Sequence, residues 1–515
     1  MSSIAENKKR IAKNTLMLYV RMMFSMIVSL YTSRVILSTL GVVDYGIYNV
    51  VGGVVSMFSI ISASLSAAIS RYLTFELGKN DIQRLKTVFS TSITIQIIIS
   101  LIVIILAEIV GIWFLNNKMV IPVDRLEAAN WIFQFSLMTF VIGLISVPYN
   151  AAIIAHERMR AFAYIGIFDV LAKLGIVFSL MIAPIDKLVF YGLLLLLLSI
   201  VIRIIYGVYC KKQFEECTYH CIMDKPLLKD MFGFAGWNFI GASSAILRDH
   251  GGNIIINLFC GPAVNAARGI AIQVNGMVNS FVGNFMTAVN PQITKSYAAG
   301  KYDYMMDLIF KSARFSFYLL LILSLPIMVS ADYILHLWLD IVPEHSSAFL
   351  QLTLLFSLSE TLATPLVTAM LATGRIRNYQ IIVGGLQMMN LPISYTCLRC
   401  GLPPEAVFIV AIGVSVICEL ARIYMLRRMI NLSVRTFLRK VYINVWIVLA
   451  TSAVLPFILK WYLDENLISF ASCCMLSLIC SVLSVCYIGC NKGERLYLKE
   501  QINTFIKKIK NDSSH

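Results

Sequence analysis

The chain has 515 residues, 58% of them hydrophobic and only 14% charged, with a mean hydropathy of +0.78. A soluble domain carries about 25% charged residues, so a water-soluble fold is excluded; this much apolar surface needs lipid as its solvent. The net charge of +15 would suit a nucleic-acid binder only as a clustered patch, and here the basic residues are scattered between apolar runs, which excludes that class.

The predicted elements follow in chain order. The basic start Lys8, Lys9, Arg10 and Lys13 leads into an apolar run too long for a signal-peptide core, so it is read as a retained first span. Runs long enough to cross a bilayer predict spans over roughly 14–39, 47–70, 87–115, 128–155, 161–183, 188–210, 232–258, 263–290, 307–330, 347–372, 379–399, 405–426, 441–463 and 468–490. Lys and Arg number 31 in one alternating set of connecting segments and 5 in the other. Cytoplasmic segments carry the excess, so both termini are expected in the cytoplasm and the segment 331–346 outside.

An internal repeat organises these spans. Pro148, Ala152, Ala155, Arg158 and Arg160 recur as Pro365, Ala369, Ala372, Arg375 and Arg377, 217 residues on; Gly78, Lys79 and Asp81 recur as Gly300, Lys301 and Asp303, 222 residues on. The repeat unit is six helices, an even number, so the two halves run in the same sense and flank a central cavity, a transporter architecture. The expected fold is an all-α polytopic membrane protein of about fourteen transmembrane helices in two six-helix lobes plus two extra C-terminal helices. Its parts are an N-lobe at 1–210, a linker at 211–230, a C-lobe at 231–428, the extra pair at 429–490 and a basic tail at 491–515.

The string Leu40-Gly41-Val42-Val43-Asp44-Tyr45-Gly46-Ile47-Tyr48 follows the first helix, and the chain continues through Ser70-Arg71-Tyr72 to Gly78-Lys79. This resembles the Wzx-type polysaccharide flippases of the multidrug/oligosaccharidyl-lipid/polysaccharide (MOP) exporter superfamily, and length, span count and repeat extend the resemblance over essentially the whole chain. The resemblance implies a MATE-like fold in the bacterial inner membrane. It implies a cavity opening alternately to each side and, as cargo and partner, an undecaprenyl-pyrophosphate-linked oligosaccharide moved to the periplasmic leaflet for O-antigen, capsule or exopolysaccharide synthesis. Membrane lipid and other polysaccharide-assembly proteins are the further partners it suggests.

Charges inside spans are the candidate functional residues, because each costs about 2.5–3.5 kcal/mol at bilayer depth even on the mildest scale. The cavity candidates are Arg21, Arg34, Lys173, Arg248, Arg268, Asn275 and Asn279. Arg268, Asn275, Asn279, Gly283 and Asn290 share one helical face, either as a cavity wall or as a helix–helix contact. Arg203 and Arg422 lie close enough to cytoplasmic ends to snorkel, and Glu419 is a local partner for Arg422. Arg supplies fixed donor forks that match phosphate oxygens. Glu360, Asp169 and Asp249 are the candidates for ion coupling; Asp169 also lies one turn from Lys173 and Asp249 next to Arg248, so simple pairing is open for both. Prolines 148, 291, 326, 365 and 392 are expected to bend their helices.

Enzyme signatures are missing from the sequence. There is no Gly-x-x-x-x-Gly-Lys-Ser/Thr phosphate loop and no hydrolase or zincin motif. Cys217-Thr218-Tyr219-His220-Cys221 lacks a second ligand pair for zinc, so no metal or cofactor is expected. Most of the twelve cysteines lie in apolar runs as small hydrophobes; for Cys397 and Cys400, at an outer helix end, a periplasmic disulfide stays open. Two readings compete with the flippase: an exporter of drugs or small metabolites, which for cationic drugs would favour an acidic cavity, and a membrane glycan polymerase or transferase, which would need a larger extramembrane catalytic loop.

Overall fold

The computed structural model describes residues 14–496, apart from parts of 30–58 and the segments 118–120, 221–223, 339–341 and 464–465. Side chains at 59–61, 245–246, 249–250, 253–254, 257, 261–263 and 265–266 also lie outside the description. The expectations for Arg34 and for the side chain of Asp249, much of the string at 40–48 and most of the basic tail therefore fall outside the described residues.

Every regular element among the described residues is helical. Ten helices are long and apolar enough to cross a membrane: α3 (Ile82–Asn117), α4 (Val123–Ala155), α5 (Met159–Ile182), α6 (Lys187–Gln213), α8 (Tyr302–Val329), α9 (Ser346–Thr373), α10 (Arg377–Arg399), α11 (Ala406–Ile430), α12 (Val434–Tyr462) and α13 (Leu467–Gly489). The other expected spans fall on α1 (Asn14–Ser29), on α2 (Ser59–Lys79) and on the long helical stretch α7 (Lys225–Ala298). The protein is an all-α polytopic membrane protein.

The stretch α7 covers two of the expected spans. A straight helix would place residues 252 and 268 about 24 Å apart, yet the guanidinium of Arg268 lies 2.9 Å from where a Cβ on Gly252 would stand. The chain therefore doubles back between them, as two spans joined near Gly261-Pro262 require. This reversal brings Arg268 deep into its own unit.

The chain divides into two compact units. One comprises residues Met1–Ser243, Thr287–Tyr302 and Leu371–Ile381; the other Ser244–Met286, Asp303–Met370 and Ile382–His515. In the first unit α4 is the central helix, packed on α2, α3 and α6 around Phe89, Ile132, Phe133 and Leu137, all fully buried. Gly192 permits the close approach of α4 and α6, since a Cβ there would stand 2.6 Å from the end of Ile132. In the second unit Phe349, Leu350, Leu354 and Tyr318 are buried. The helix pair α12 and α13 is tied to α8, because Arg314 donates to the Gly489 carbonyl at 2.9 Å and pairs with Glu494 at 2.7 Å.

Polar contacts within the first unit gather on helix ends that the charge bias assigns to the cytoplasm. Arg71 lies over the rings of Tyr72 and Phe75 and donates to the carbonyls of Leu371 (3.0 Å) and Ala372 (3.2 Å). These belong to the last turn of α9, whose final carbonyls lack helical partners and attract cations. Glu157 is buried with φ +60°; its carboxylate accepts from Gln292 (2.6 Å) and Lys295 (2.8 Å), and its own carbonyl accepts from Asn14 (3.2 Å).

Two expected results follow from the fold. Gly374 has φ +74°, and a Cβ there would lie 2.5 Å from the Arg71 guanidinium. Gly374→Ala should therefore destabilise the protein by at least about 1–2 kcal/mol from the left-handed backbone alone, read as a lower melting temperature in detergent. Reporters fused after Arg158 and after Arg375 should read cytoplasmic, and one at Pro343 periplasmic; a cytoplasmic Pro343 would break the span assignment.

Candidate functional site

The second unit holds a cavity of about 310 Å³. The two helical arms of the doubled-back stretch α7 place Arg248 and Arg268 on its wall, with Asn275 and Asn279 further along the second arm. Helix α9 contributes Thr353, Phe356, Ser357 and Glu360, α10 contributes Asn390 and Ser394, and α11 contributes Phe408. Aromatic rings back both guanidiniums: Arg248 lies 5.0 Å from the centroid of Phe356, and Arg268 lies 5.2 Å from that of Phe408. A cation over a ring face gains about 0.5–2 kcal/mol without neutralising its charge. Arg268 is only 6% exposed, so it is held by the fold rather than snorkelling.

The amide stripe does two things. Asn279 donates to Asn275 at 2.9 Å and to the Ser357 hydroxyl at 3.0 Å, and Ser357 donates to the Asn275 oxygen at 2.7 Å. These bonds lock the second arm of α7 to α9, the helix–helix role that the sequence leaves open. Both asparagines also line the cavity, so the two roles coincide. The buried Thr353 hydroxyl is without a hydrogen-bond partner among the described residues.

Among the described residues Glu360 is the acid of this cavity. It accepts from Ser415 and lies 4.0 Å from Arg422, which in turn pairs with Glu419 at 3.4 Å. The Arg422 side chain is 3% exposed and that of Glu419 7%. Burial in this cluster, rather than snorkelling, is the structural fact for Arg422, and the expected pairing with Glu419 is present. A residue 62 positions away in the chain thus supplies Glu360 with its basic neighbour.

The remaining candidates belong to the first unit. The Arg21 guanidinium lies 4.4 Å from the Phe162 centroid, and its stem presses against Gly166. Lys173 and Asp169 pair with one another at 2.8 Å, with half of the Lys173 side chain exposed. Arg203 lies 3.9 Å from the Tyr149 centroid. Cys397 and Cys400 are both free thiols, and the described residues hold no cluster of three or more metal-ligating side chains. Sequence reasoning missed Phe356, Phe408, Asn390 and Ser394, and it missed the link between Glu360 and Arg422.

A family model described as "Polysaccharide biosynthesis protein" matches residues 9–297, more than half of the chain. The chain belongs to this family. An "Uncharacterized membrane protein EpsK" of Bacillus subtilis (strain 168) is 20% identical over 306 residues, 59% of this chain and 60% of that one, so the chain spans less than two thirds of this curated relative's length. Among solved structures, MATE in complex with MaD3S superposes with TM-score 0.72 at 13% identity, over 83% of this chain and 97% of that one. A mutant of the Vibrio cholerae MATE transporter VcmN gives 0.69 at 16%, over 83% and 99%. A MOP-superfamily transporter from Pyrococcus furiosus Vc1 (DSM3638), described by the reverse polarity of its binding pocket, gives 0.67 at 14%, over 82% and 96%. At these identities the likeness shows the fold, which is MATE-like. Family and fold together make the protein a multi-pass membrane protein of the polysaccharide-biosynthesis family with a MATE-like fold.

Proposed function

We propose that this protein flips undecaprenyl-pyrophosphate-linked oligosaccharide repeat units from the cytoplasmic to the periplasmic leaflet of the bacterial inner membrane, with both of its own termini in the cytoplasm. The observation that carries this reading is the cavity wall where Arg248 and Arg268 stand on aromatic rings beside Asn275, Asn279, Asn390 and Ser394. Two guanidinium forks suit the oxygens of a pyrophosphate. Amides and hydroxyls suit sugar hydroxyls, while the polyprenyl chain stays in lipid. Among the described residues of the wall, the two arginines outnumber the one carboxylate. Arg21, in the other unit, is proposed as a further cation on the cargo's route. Glu360, the carboxylate on this wall, is proposed as the ion-coupling residue.

Proteoliposomes containing the purified protein and a fluorescent undecaprenyl-pyrophosphate disaccharide in both leaflets test this reading. A membrane-impermeant quencher of the sugar label should reach the whole population with time, and only the outer half in protein-free vesicles. Unchanged kinetics alongside uptake of a cationic dye would replace this reading with a drug exporter. Unchanged kinetics without dye uptake would remove the reading as well.

A further inference from the structure

The internal repeat extends to two ion pairs at helix starts on the side that the charge bias assigns to the periplasm. In the first half, Arg125 immediately precedes the helical run Leu126–Ala155 and pairs at 2.6 Å with Asp186, which N-caps α6. In the second half, His345 immediately precedes α9 and meets Glu405, the N-cap of α11, at 2.5 Å. Positions 345 and 405 lie 220 and 219 residues beyond 125 and 186, within the 217–222 range of the repeat. The two pairs therefore occupy equivalent places, each joining the outer starts of the fourth and sixth helices of its half.

Their chemistry differs in one respect. Arg125 keeps its charge at every physiological pH, and it also donates to Asp44 at 2.8 Å, the acid of the Leu40–Tyr48 string. Burial alone would push the Asp186 carboxyl up; hydrogen bonds from Arg125 and from the Val189 and Leu188 backbone hold it below its ordinary value. The equivalent cation of the second half is an imidazole, the side chain whose charge changes between pH 5 and 8. A neutral imidazole with its proton on Nδ1 still donates one hydrogen bond to Glu405, but a charge-assisted bond is roughly twice as strong.

The second pair is also linked to the cavity wall through two rings. His345 stacks on Phe349, with centroids 5.8 Å apart and planes 19° apart. Phe349 contacts Phe408 at 4.8 Å, and Phe408 lies under Arg268. Helices α9 and α11, which the pair joins, form two walls of the cavity. The charged or titratable groups around His345 are Glu405 on α11, the exposed Glu344 beside it in the chain, the Cys260 thiol within electrostatic reach of Glu405, and Arg268 beyond the two rings. His345 itself has φ +67°, a backbone region where histidine is enriched among non-glycine residues.

We infer that His345–Glu405 is a pH-responsive clamp between two walls of the Arg248/Arg268 cavity, and that Arg125–Asp186 is its permanently charged counterpart. Acid outside the cell charges the imidazole and holds the starts of α9 and α11 together. As the pH rises the imidazole loses its proton, the clamp weakens, and the wall beside Arg268 loosens. The inference rests on the cavity and not on the cargo, so it survives if the glycan assignment fails.

Hydrogen exchange of the full-length protein in nanodiscs, at about pH 5 and pH 8, tests it. Protection factors are compared, which removes the intrinsic pH dependence of amide exchange. Protection of 347–357 and 407–415 should fall on the order of fivefold between the two pH values, from the loss of charge assistance. Residues 127–137 and 188–198, behind Arg125 and Asp186, should stay flat in the same sample and so report an intact fold. His345→Arg should keep the second half protected at both pH values, and Glu405→Gln should leave it poorly protected at both. Equal protection across pH in the wild type overturns the clamp, as does an equal fall in both halves. A fall that persists in His345→Arg also overturns it.

Discussion

On the proposed function, replacing Arg248 and Arg268 together with alanine is expected to cut glycan export at least about 100-fold, since each charged hydrogen bond lost to a phosphate is worth about 1.5–3 kcal/mol. Protein abundance and membrane insertion should be unchanged, because the span pattern does not depend on these two side chains. The measurement is the label-accessibility assay in proteoliposomes, together with surface glycan in a strain that depends on this protein. The paired lysine variant separates geometry from charge. Lysine restores a positive cavity but offers a point charge in place of a planar fork, so it should recover only part of the rate. Full recovery by lysine would mean that only charge matters. Undiminished export by the alanine pair at normal abundance would remove these residues from the cargo's route.

The second large effect is one of stability. Arg422 is the cation between Glu360 and Glu419, and both it and Glu419 are nearly closed off from their surroundings. Removing one partner of a buried pair leaves an uncompensated charge and costs about 3–5 kcal/mol. Arg422→Ala should therefore lower the melting temperature in detergent and the yield of folded protein. The double replacement Arg422→Met with Glu419→Leu removes both charges at similar volume and should recover most of that loss. Glu360, facing the cavity, can still be solvated there. If the single and double variants melt alike, the cluster is not a coupled pair, and the cost lies in packing.

The helices were legible because hydropathy is a local property: each span is announced by its own twenty residues. The α9 reading, 347–372 against Ser346–Thr373, illustrates this. The cavity was legible in part, since the spacing of Arg268, Asn275 and Asn279 puts them on one face whatever the tertiary context. The aromatic backing of the arginines was not, because Phe356 and Phe408 in apolar runs look like any other core residues. The Glu360–Arg422 link was hidden for another reason: it joins two helices 62 residues apart, and neither neighbourhood hints at it. Nothing in the chain around Glu157 sets it apart from its charged neighbours Arg158 and Arg160, yet it is buried and holds Gln292 and Lys295. The equivalence of Arg125 and His345 needed the ion pairs first, since the two residue types differ.

The contact between Arg71 and the end of α9 has a consequence for how such a protein can vary over generations. Arg71 takes hold of the carbonyl oxygens of residues 371 and 372, and every amino acid presents that same oxygen. Mutations that exchange Leu371 or Ala372 for another residue compatible with the packing leave the grip intact. No compensating change at Arg71 is called for, so comparing correlated substitutions among descendants would not reveal that these sites touch. The hereditary restriction passes instead to Gly374, whose own N–H donates to the same Leu371 oxygen at 3.1 Å. It must stay free of a side chain, because its backbone turns left-handed while the guanidinium occupies the place a Cβ would take.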